Sequence, residues 1–248
     1  MAAATPLIFL PGALGALEGA DEAARRLAAS RHMSSIAYRP DDRLDGVLDR
    51  IEAAANEMGA SQIDLLGQSY GGWIAQCAAR RFPDRIRRIV LSHSFALQPR
   101  HAWRFRLGMT VLGRLPPALL RPLLLKRVRQ ALAPLRAVDP ARAKRQLAAL
   151  SPRIGNPDLR AILVAQQRCM LDSLEAPFAS RPPVDPALPV LIIGSANDPL
   201  VGARARDALR ASLPQAERHS FTGAGHISAM VEPDAYVARV ARFLDDPK

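Results

Sequence analysis

The stretch Ile63-Asp64-Leu65-Leu66-Gly67-Gln68-Ser69-Tyr70-Gly71-Gly72 decides the fold, because it joins an apolar run to a helical pattern through a glycine-rich turn. Residues 63–66 predict a buried strand, and the residues after Gly71 predict a helix. Gly67 and Gly71 flank Ser69 at two residues' distance, where small residues let neighbouring backbone pass close to a tight turn. Such a turn exposes the hydroxyl above the sheet, beside the free N–H groups of the helix start. The sequence therefore predicts Ser69 as a nucleophile; a glycine-rich turn with an idle serine is the alternative.

Short apolar runs and helical patterns alternate on both sides of this turn. Strands are predicted at residues 7–10, 35–38, 63–66, 86–92, 190–193 and 217–221, and helices at 18–30, 44–58, 71–81 and 236–244. This alternation predicts an α/β fold, a mostly parallel sheet of about six strands with helices on both faces. The loops after parallel strands gather at one edge of the sheet, where binding and catalytic sites form.

The alternation breaks from about Gln98 to Pro183. Helical patterns cover residues 107–112, 119–125, 128–135 and 159–174, and prolines punctuate this stretch. We predict a helical cap over Ser69 at residues 98–183, inserted into a core made of residues 1–97 and 184–248. Its leucines and basic residues favour an apolar acyl pocket with a basic rim, for which an acidic acyl carrier protein is a possible partner. The alternative is a packed cap with solvated arginines; the prolines argue against a membrane-binding helix.

A serine hydroxyl needs a base, and the base needs an orienting acid. His226 follows the last predicted strand in a glycine-rich loop and is the candidate base. His219 lies within that strand and is expected to be structural, and His32 and His101 are expected at the surface. Asp198 follows the strand at 190–193 and is the candidate acid; its alternative role is a turn residue before a proline.

The oxyanion of an acyl-transfer reaction needs two backbone donors. One is predicted at the N–H of Tyr70, directly after the nucleophile. The second is predicted at Ala13, in the loop after the first strand, with Leu14 as the second choice. Leu14 and His93, which follows the fourth strand, are expected to line the substrate pocket.

These residues together resemble the α/β-hydrolase superfamily, over nearly the whole chain except the insertion. The resemblance rests on Pro11-Gly12, residues 67–71, Asp198 and His226, in the order that the family uses for its triad. Three segments look more closely like the maspardin-type branch: residues 7–11, 66–72 and 89–95. The resemblance implies acyl transfer to water from an ester or thioester. It leaves a carrier-dependent thioesterase or acyltransferase and a non-catalytic binding protein as alternatives, and it implies no cofactor or metal.

Two departures from the family pattern are visible. Many relatives carry His-Gly at the oxyanion loop, where this chain has Pro11-Gly12. The backbone supplies the donor there, so loss of the histidine changes pocket polarity rather than the chemistry. The usual N-terminal antiparallel hairpin is also missing, which predicts a smaller sheet.

Composition sets the remaining expectations. The formal net charge is +11, mostly from arginine, and GC-rich coding would give this bias without a functional reason. No nucleic-acid-binding motif is present. Cys77 and Cys169 are too few for a disulfide framework or a multi-cysteine zinc site, and buried thiols are expected. The chain shows no signal-peptide pattern or run long enough to span a membrane, so a cytoplasmic protein is predicted.

Overall fold

The structure, a computed structural model, describes residues 4–15, 18–96, 102–179 and 184–246. The predicted boundaries of the insertion, at residues 98 and 183, lie outside this part of the chain, as does His101. In chain order the described elements are β1 (Leu7–Leu10), α1 (Glu18–Ala28), β2 (Met33–Ser35), α2 (Leu44–Glu57), β3 (Ile63–Gln68), α3 (Tyr70–Arg81), β4 (Ile86–Ser92), α4 (Ala102–Arg114), α5 (Pro117–Val138), α6 (Pro140–Ile154), α7 (Pro157–Glu175), β5 (Val190–Ser195), α8 (Ala203–Ser212), β6 (Glu217–Phe221), α9 (Ser228–Val231) and α10 (Pro233–Asp245).

The six strands form one parallel sheet in the order β2-β1-β3-β4-β5-β6. The predicted α/β fold and strand number are confirmed. The central strands are buried on both faces, which explains why they read as continuous apolar runs. The prediction placed β2 two residues too late; this edge strand has three residues, and pairing continues only through the Ile36 N–H to the Phe9 carbonyl at 3.1 Å.

Helices cover both faces of the sheet. On one face α2, α3 and α8 pack over the sheet around Trp73, which is 1% exposed. On the other face α1 and α10 pack around Phe9 and Phe243. Cys77 and Cys169 are buried free thiols, as predicted, and burial raises the pKa of each to about 12.

Helices α4 to α7 lie between β4 and β5 in the chain. α5 runs unbroken through Pro122 and Pro134, so the two separate helices predicted there are wrong. A proline lacks one backbone donor, but Leu125, Leu132 and Leu135 of α5 are buried in one cluster with Leu150 and Ile154 of α6, and this packing holds the helix. α4 contains no proline and packs along α7, where Arg160 donates to the Leu112 carbonyl at 2.6 Å.

Candidate active site

The turn between β3 and α3 holds Ser69 in a strained conformation. Its φ is 53° and its ψ is −114°, a backbone region that residues with a side chain rarely adopt. Two features hold the turn in place: the Ser69 N–H donates to the Ser92 carbonyl at 2.8 Å, and the Ser94 hydroxyl donates to the Ser69 carbonyl at 2.9 Å. The strand on one side and the helix on the other leave Ser69 facing a cavity.

Gly71 allows this turn to lie against β1. A Cβ atom there would stand 2.0 Å from the Leu10 carbonyl oxygen, far inside any real contact. Gly67 is equally constrained, since its Cβ would stand 2.5 Å from the Cα of Gly72. The close approach brings the loop after β1, residues 11–15, directly beside Ser69.

His226 and Asp198 form a buried pair at the same edge of the sheet. The Nδ1 atom of His226 lies 2.9 Å from one carboxylate oxygen of Asp198 and 3.1 Å from the other. Backbone N–H groups of Leu200 and Val201 donate to the carboxylate, each at 2.9 Å. Burial by itself would raise the pKa of Asp198, but hydrogen bonds from His226, His93 and this turn hold it well below its usual range. An ionised Asp198 fixes the Nδ1–H tautomer of His226 and leaves Nε2 as an acceptor.

His93 also bonds to Asp198, an arrangement that the sequence did not predict. Its Nδ1 lies 3.0 Å from the Asp198 carboxylate and its Nε2 lies 2.8 Å from the Ser228 hydroxyl. The sequence predicts that His93 lines the substrate pocket. In the structure His93 is only 3% exposed and is not among the described residues that line the cavity. Its positive φ of 50°, directly after β4, turns the side chain towards the loop after the neighbouring β5.

The three side chains His93, Asp198 and His226 bring their nitrogen and oxygen atoms within 4.8 Å of one another. Both Nδ1 atoms point at one carboxylate, so hydrogen bonds account for the closeness of the group. Burial lowers the pKa of His93, and its bond to Asp198 only partly offsets this. His93 is therefore a neutral imidazole that donates to Asp198 and accepts from the Ser228 hydroxyl.

The predicted oxyanion donors lie where the loop after β1 meets α3. In the described part of the chain, the N–H groups of Ala13 and Tyr70 donate to no other group. The loop itself is held through its carbonyls: Gln166 donates to Ala13 at 3.0 Å, Arg153 to Leu14 at 2.9 Å and the Tyr38 hydroxyl to Pro11 at 2.9 Å. Gln166 and Arg153 belong to the inserted helices, and no local sequence pattern marks either as a loop anchor.

A cavity of about 240 Å³ opens over Ser69. Ser69 and His226 both line it, although the described residues show no hydrogen bond between them. Ala13 and Leu14 lie on the wall formed by the loop after β1. The inserted helices supply most of the remaining lining, and it is apolar except for one arginine: Leu124, Arg127, Val128, Ala131, Leu132, Leu150 and Leu163.

Comparison with known proteins places this chain in a family. A family model described as "alpha/beta hydrolase fold" matches residues 5–233. A segment of 58 residues is 41% identical to Esterase YbfF of Escherichia coli (strain K12). That match covers 23% of this chain and 23% of the esterase.

Solved structures share the fold over nearly the whole chain. An α/β-hydrolase enzyme, MGS-M2, from a Medee basin deep-sea metagenome library has a TM-score of 0.76 at 17% identity, over 99% of this chain and 90% of that one. A hydrolase from Pseudomonas aeruginosa PA01 gives a TM-score of 0.74 at 21% identity, over 99% and 92% of the two chains. The enol-lactonase of Burkholderia xenovorans LB400 gives 0.74 at 16% identity, over 98% and 92%. At these identities the likeness concerns the fold alone.

Proposed function

Because the chain belongs to the α/β-hydrolase family, we propose that it is a serine hydrolase that cleaves a carboxylic ester or thioester through an acyl-enzyme intermediate. The observation that carries the proposal is the strained Ser69 in the same cavity as His226, whose imidazole is paired with a buried, ionised Asp198. Each feature has a cost in stability that a merely structural turn does not require.

The proposed reaction has two halves. His226 Nε2 takes the Ser69 hydroxyl proton as the oxygen bonds to the acyl carbon, and the N–H groups of Ala13 and Tyr70 hold the oxyanion. When the bond to the leaving group breaks, His226 gives the proton to the departing alcohol or thiol. Water then repeats the sequence and releases the acid. Asp198 orients the imidazole and stabilises imidazolium without taking the proton.

The cavity supports an apolar acyl group of small to medium size. Leu124, Val128, Leu132 and Leu163 surround the space in front of Ser69 and offer it no hydrogen-bond donors. An ester-bearing aliphatic acid would bury its chain there. The prediction of an acyl carrier protein as partner has no support from the matching relatives, and the maspardin-type likeness stays a prediction.

Labelling with a fluorophosphonate tests the nucleophile. We expect the native protein to be labelled and Ser69→Ala to be unlabelled, while Ser30→Ala, on a turn away from the cavity, keeps full labelling. Asp198→Asn should lower kcat for a p-nitrophenyl ester by about 10³- to 10⁴-fold with KM little changed. An unlabelled native protein would contradict the proposal and favour a binding protein.

Paired substrates then separate the two ester classes. An oxygen ester and a thioester of the same acyl chain differ only in the leaving group, so their kcat/KM ratio reports leaving-group preference. Equal or higher rates on the oxygen ester support the carboxylic-ester hydrolase. A preference of a hundredfold or more for the thioester favours the thioesterase alternative.

A further inference from the structure

The charge of this chain is concentrated in two helices. Residues 102–138, which form α4 and α5, contain eight basic residues and no Asp or Glu, so they carry +8 of the net +11. None of the eight forms an ion pair in the part of the chain that the structure describes. A coding bias would spread acids and bases alike, whereas here they are separated. These basic residues are Arg104, Arg106, Arg114, Arg121, Lys126, Arg127, Arg129 and Arg136.

The outer face of α4 combines these charges with large apolar side chains. Trp103, Leu107 and Val111 recur every four residues and are 57%, 53% and 42% exposed, so they form one stripe along the helix. Arg104 and Arg106 flank the stripe. The opposite side of α4 packs on α7, so it is the exposed side that has no covering element among the described residues.

The start of α5 repeats the pattern beside the cavity. Leu119 and Leu123 are 58% and 53% exposed, one turn apart, and Lys126 follows on the same side. Arg127 and Leu124 stand next to this stripe and line the cavity over Ser69. The exposed apolar surface of α5 therefore leads to the cavity mouth.

We propose that the outer faces of α4 and α5 bind an anionic lipid surface and so place the cavity mouth at the membrane–water interface. Interfacial helices use this combination of exposed Trp and Leu with flanking Arg and Lys, in which apolar burial and attraction to acidic headgroups act together. A soluble acidic protein would satisfy the charges but leave five large apolar side chains in water. The proposal needs no membrane span, and no helix of the described residues is long and apolar enough to cross a bilayer. Prolines do not prevent either helix from lying on a membrane surface, because α4 contains no proline and α5 is continuous through Pro122 and Pro134.

Intrinsic fluorescence of the whole chain tests the contact directly. The two tryptophans differ sharply: Trp73 is 1% exposed, whereas Trp103 is 57% exposed on the proposed surface. We expect vesicles of phosphatidylcholine with about one-third phosphatidylglycerol to shift the emission to shorter wavelength, and pure phosphatidylcholine to give at least a tenfold weaker effect. High salt should reverse the binding. Trp103→Phe should remove the shift while co-sedimentation with the anionic vesicles persists.

Matched variants separate charge from apolar contact. Arg104→Gln with Arg106→Gln, and separately Leu107→Asn with Leu123→Asn, should each weaken binding to the anionic vesicles by tenfold or more. The control pair Arg204→Gln and Arg218→Gln removes the same charge from exposed positions on α8 and β6 and should weaken it less than threefold. All three pairs should hydrolyse a short soluble ester at the parent rate, because none of these side chains lines the cavity.

Four results would overturn the proposal. The first three are no binding to either vesicle type, equal loss of binding in the control pair, and a Trp103 shift that follows protein concentration without vesicles, which would assign the surface to a second copy of the chain. Binding to soluble polyglutamate as tight as to vesicles, without a spectral shift, would overturn it in favour of an acidic protein. Ser69→Ala should bind vesicles as the parent does, so failure of the proposed hydrolysis and failure of this proposal are distinguishable.

Discussion

Asp198 receives hydrogen bonds from two imidazoles, and this arrangement defines the site at the scale of single residues. His226 approaches it from the loop after β6 and His93 from the turn after β4, at 2.9 and 3.0 Å. Ser228 closes the network, since it bonds to His93 and lies two residues beyond His226. We expect His93 to act as a positioning residue that limits how Asp198, and therefore His226, can rotate.

Replacement of His93 tests this role. His93→Phe with Ser228→Ala removes the donor to Asp198 and leaves no buried hydroxyl unpaired. We expect kcat for a p-nitrophenyl ester to fall about ten- to hundredfold, roughly 1.4–2.8 kcal/mol in activation free energy, with KM unchanged. Steady-state kinetics measure the split, and Ser228→Ala alone, which keeps the bond from His93 to Asp198, should lose less than threefold. A variant whose KM rises while kcat stays constant would show that His93 shapes the pocket instead.

The sequence predicts some of these residues and not others, for physical reasons. Ser69 and His226 are marked by glycine-rich turns directly after apolar strands, which are local signals. Asp198 follows a strand, so its position at the sheet edge is predictable, although its second hydrogen bond, from His93, is not. The hydrogen bond from His93 to Asp198 depends on the positive φ of His93 and on β4 and β5 being neighbours in the sheet. Local sequence patterns indicate neither of these features.

At the scale of elements, two helical glycines should respond in opposite ways to the same substitution. Gly46 lies in α2, and a Cβ there would meet nothing closer than 4.0 Å, so Gly46→Ala should stabilise the protein by about 0.5–1 kcal/mol through helix propensity. Gly71 also lies in a helix, but its Cβ would collide with Leu10 backbone, and Gly71→Ala should cost about 3 kcal/mol or more. Denaturant unfolding measures the free energy of unfolding of both variants. If Gly71→Ala is insoluble while Gly46→Ala is soluble, that result also supports a large loss of stability at Gly71. Equal stability of the two variants would refute the close packing of the elbow on β1.

The accuracy of the predicted elements follows from how much apolar surface each one buries. The central strands are buried on both faces, so most of their residues are apolar and the sequence predicts them well. The sequence does not predict α6 and α8. Both are rich in alanine and arginine and have few large apolar residues whose spacing could indicate a helix; in α8, Leu209 is the only buried residue. The sequence predicts two helices, at residues 119–125 and 128–135, where the structure has the single helix α5, because the packing on α6 that keeps α5 intact is a tertiary effect that propensity does not include.

At the scale of the whole molecule, the two ends of the sheet have different roles. Asp64 is the second residue of β3, at the end opposite Ser69; it is fully buried and is paired with Arg31 and Arg87. Arg87 and Arg88 also donate to carbonyls at the end of α10, where the helix dipole favours cations. This end of the sheet ties the last helix to the core, while the strained backbone and the apolar cavity lie at the other end.

The pH dependence of stability should report the buried site. Burial lowers the pKa of His93 in the folded protein below the value of about 6.5 that a histidine has when unfolded. Between these two pKa values the unfolded chain binds the proton and the folded one does not. The contribution of His93 to the free energy of unfolding is therefore fully present above about pH 6.5. It is lost as the pH falls, by at most about 1.4 kcal/mol per pH unit. His219, whose pKa is lowered by partial burial and by Arg239, adds in the same direction.

Denaturant unfolding between about pH 7.5 and 5.5 measures this slope. We expect the free energy of unfolding of the parent to fall with decreasing pH, and the double variant His93→Phe with Ser228→Ala to show a flatter dependence, whatever its stability at neutral pH. His219→Gln serves as the control for the partly exposed imidazole and should flatten the slope less. This pH range lies above the range in which Asp198, held ionised by its two imidazoles, would take a proton. Protonation of Asp198 therefore does not contribute to the measured slope. Identical slopes in the parent and the double variant would mean that His93 takes up a proton without loss of the fold, and the neutral, doubly bonded imidazole assigned to it would be wrong.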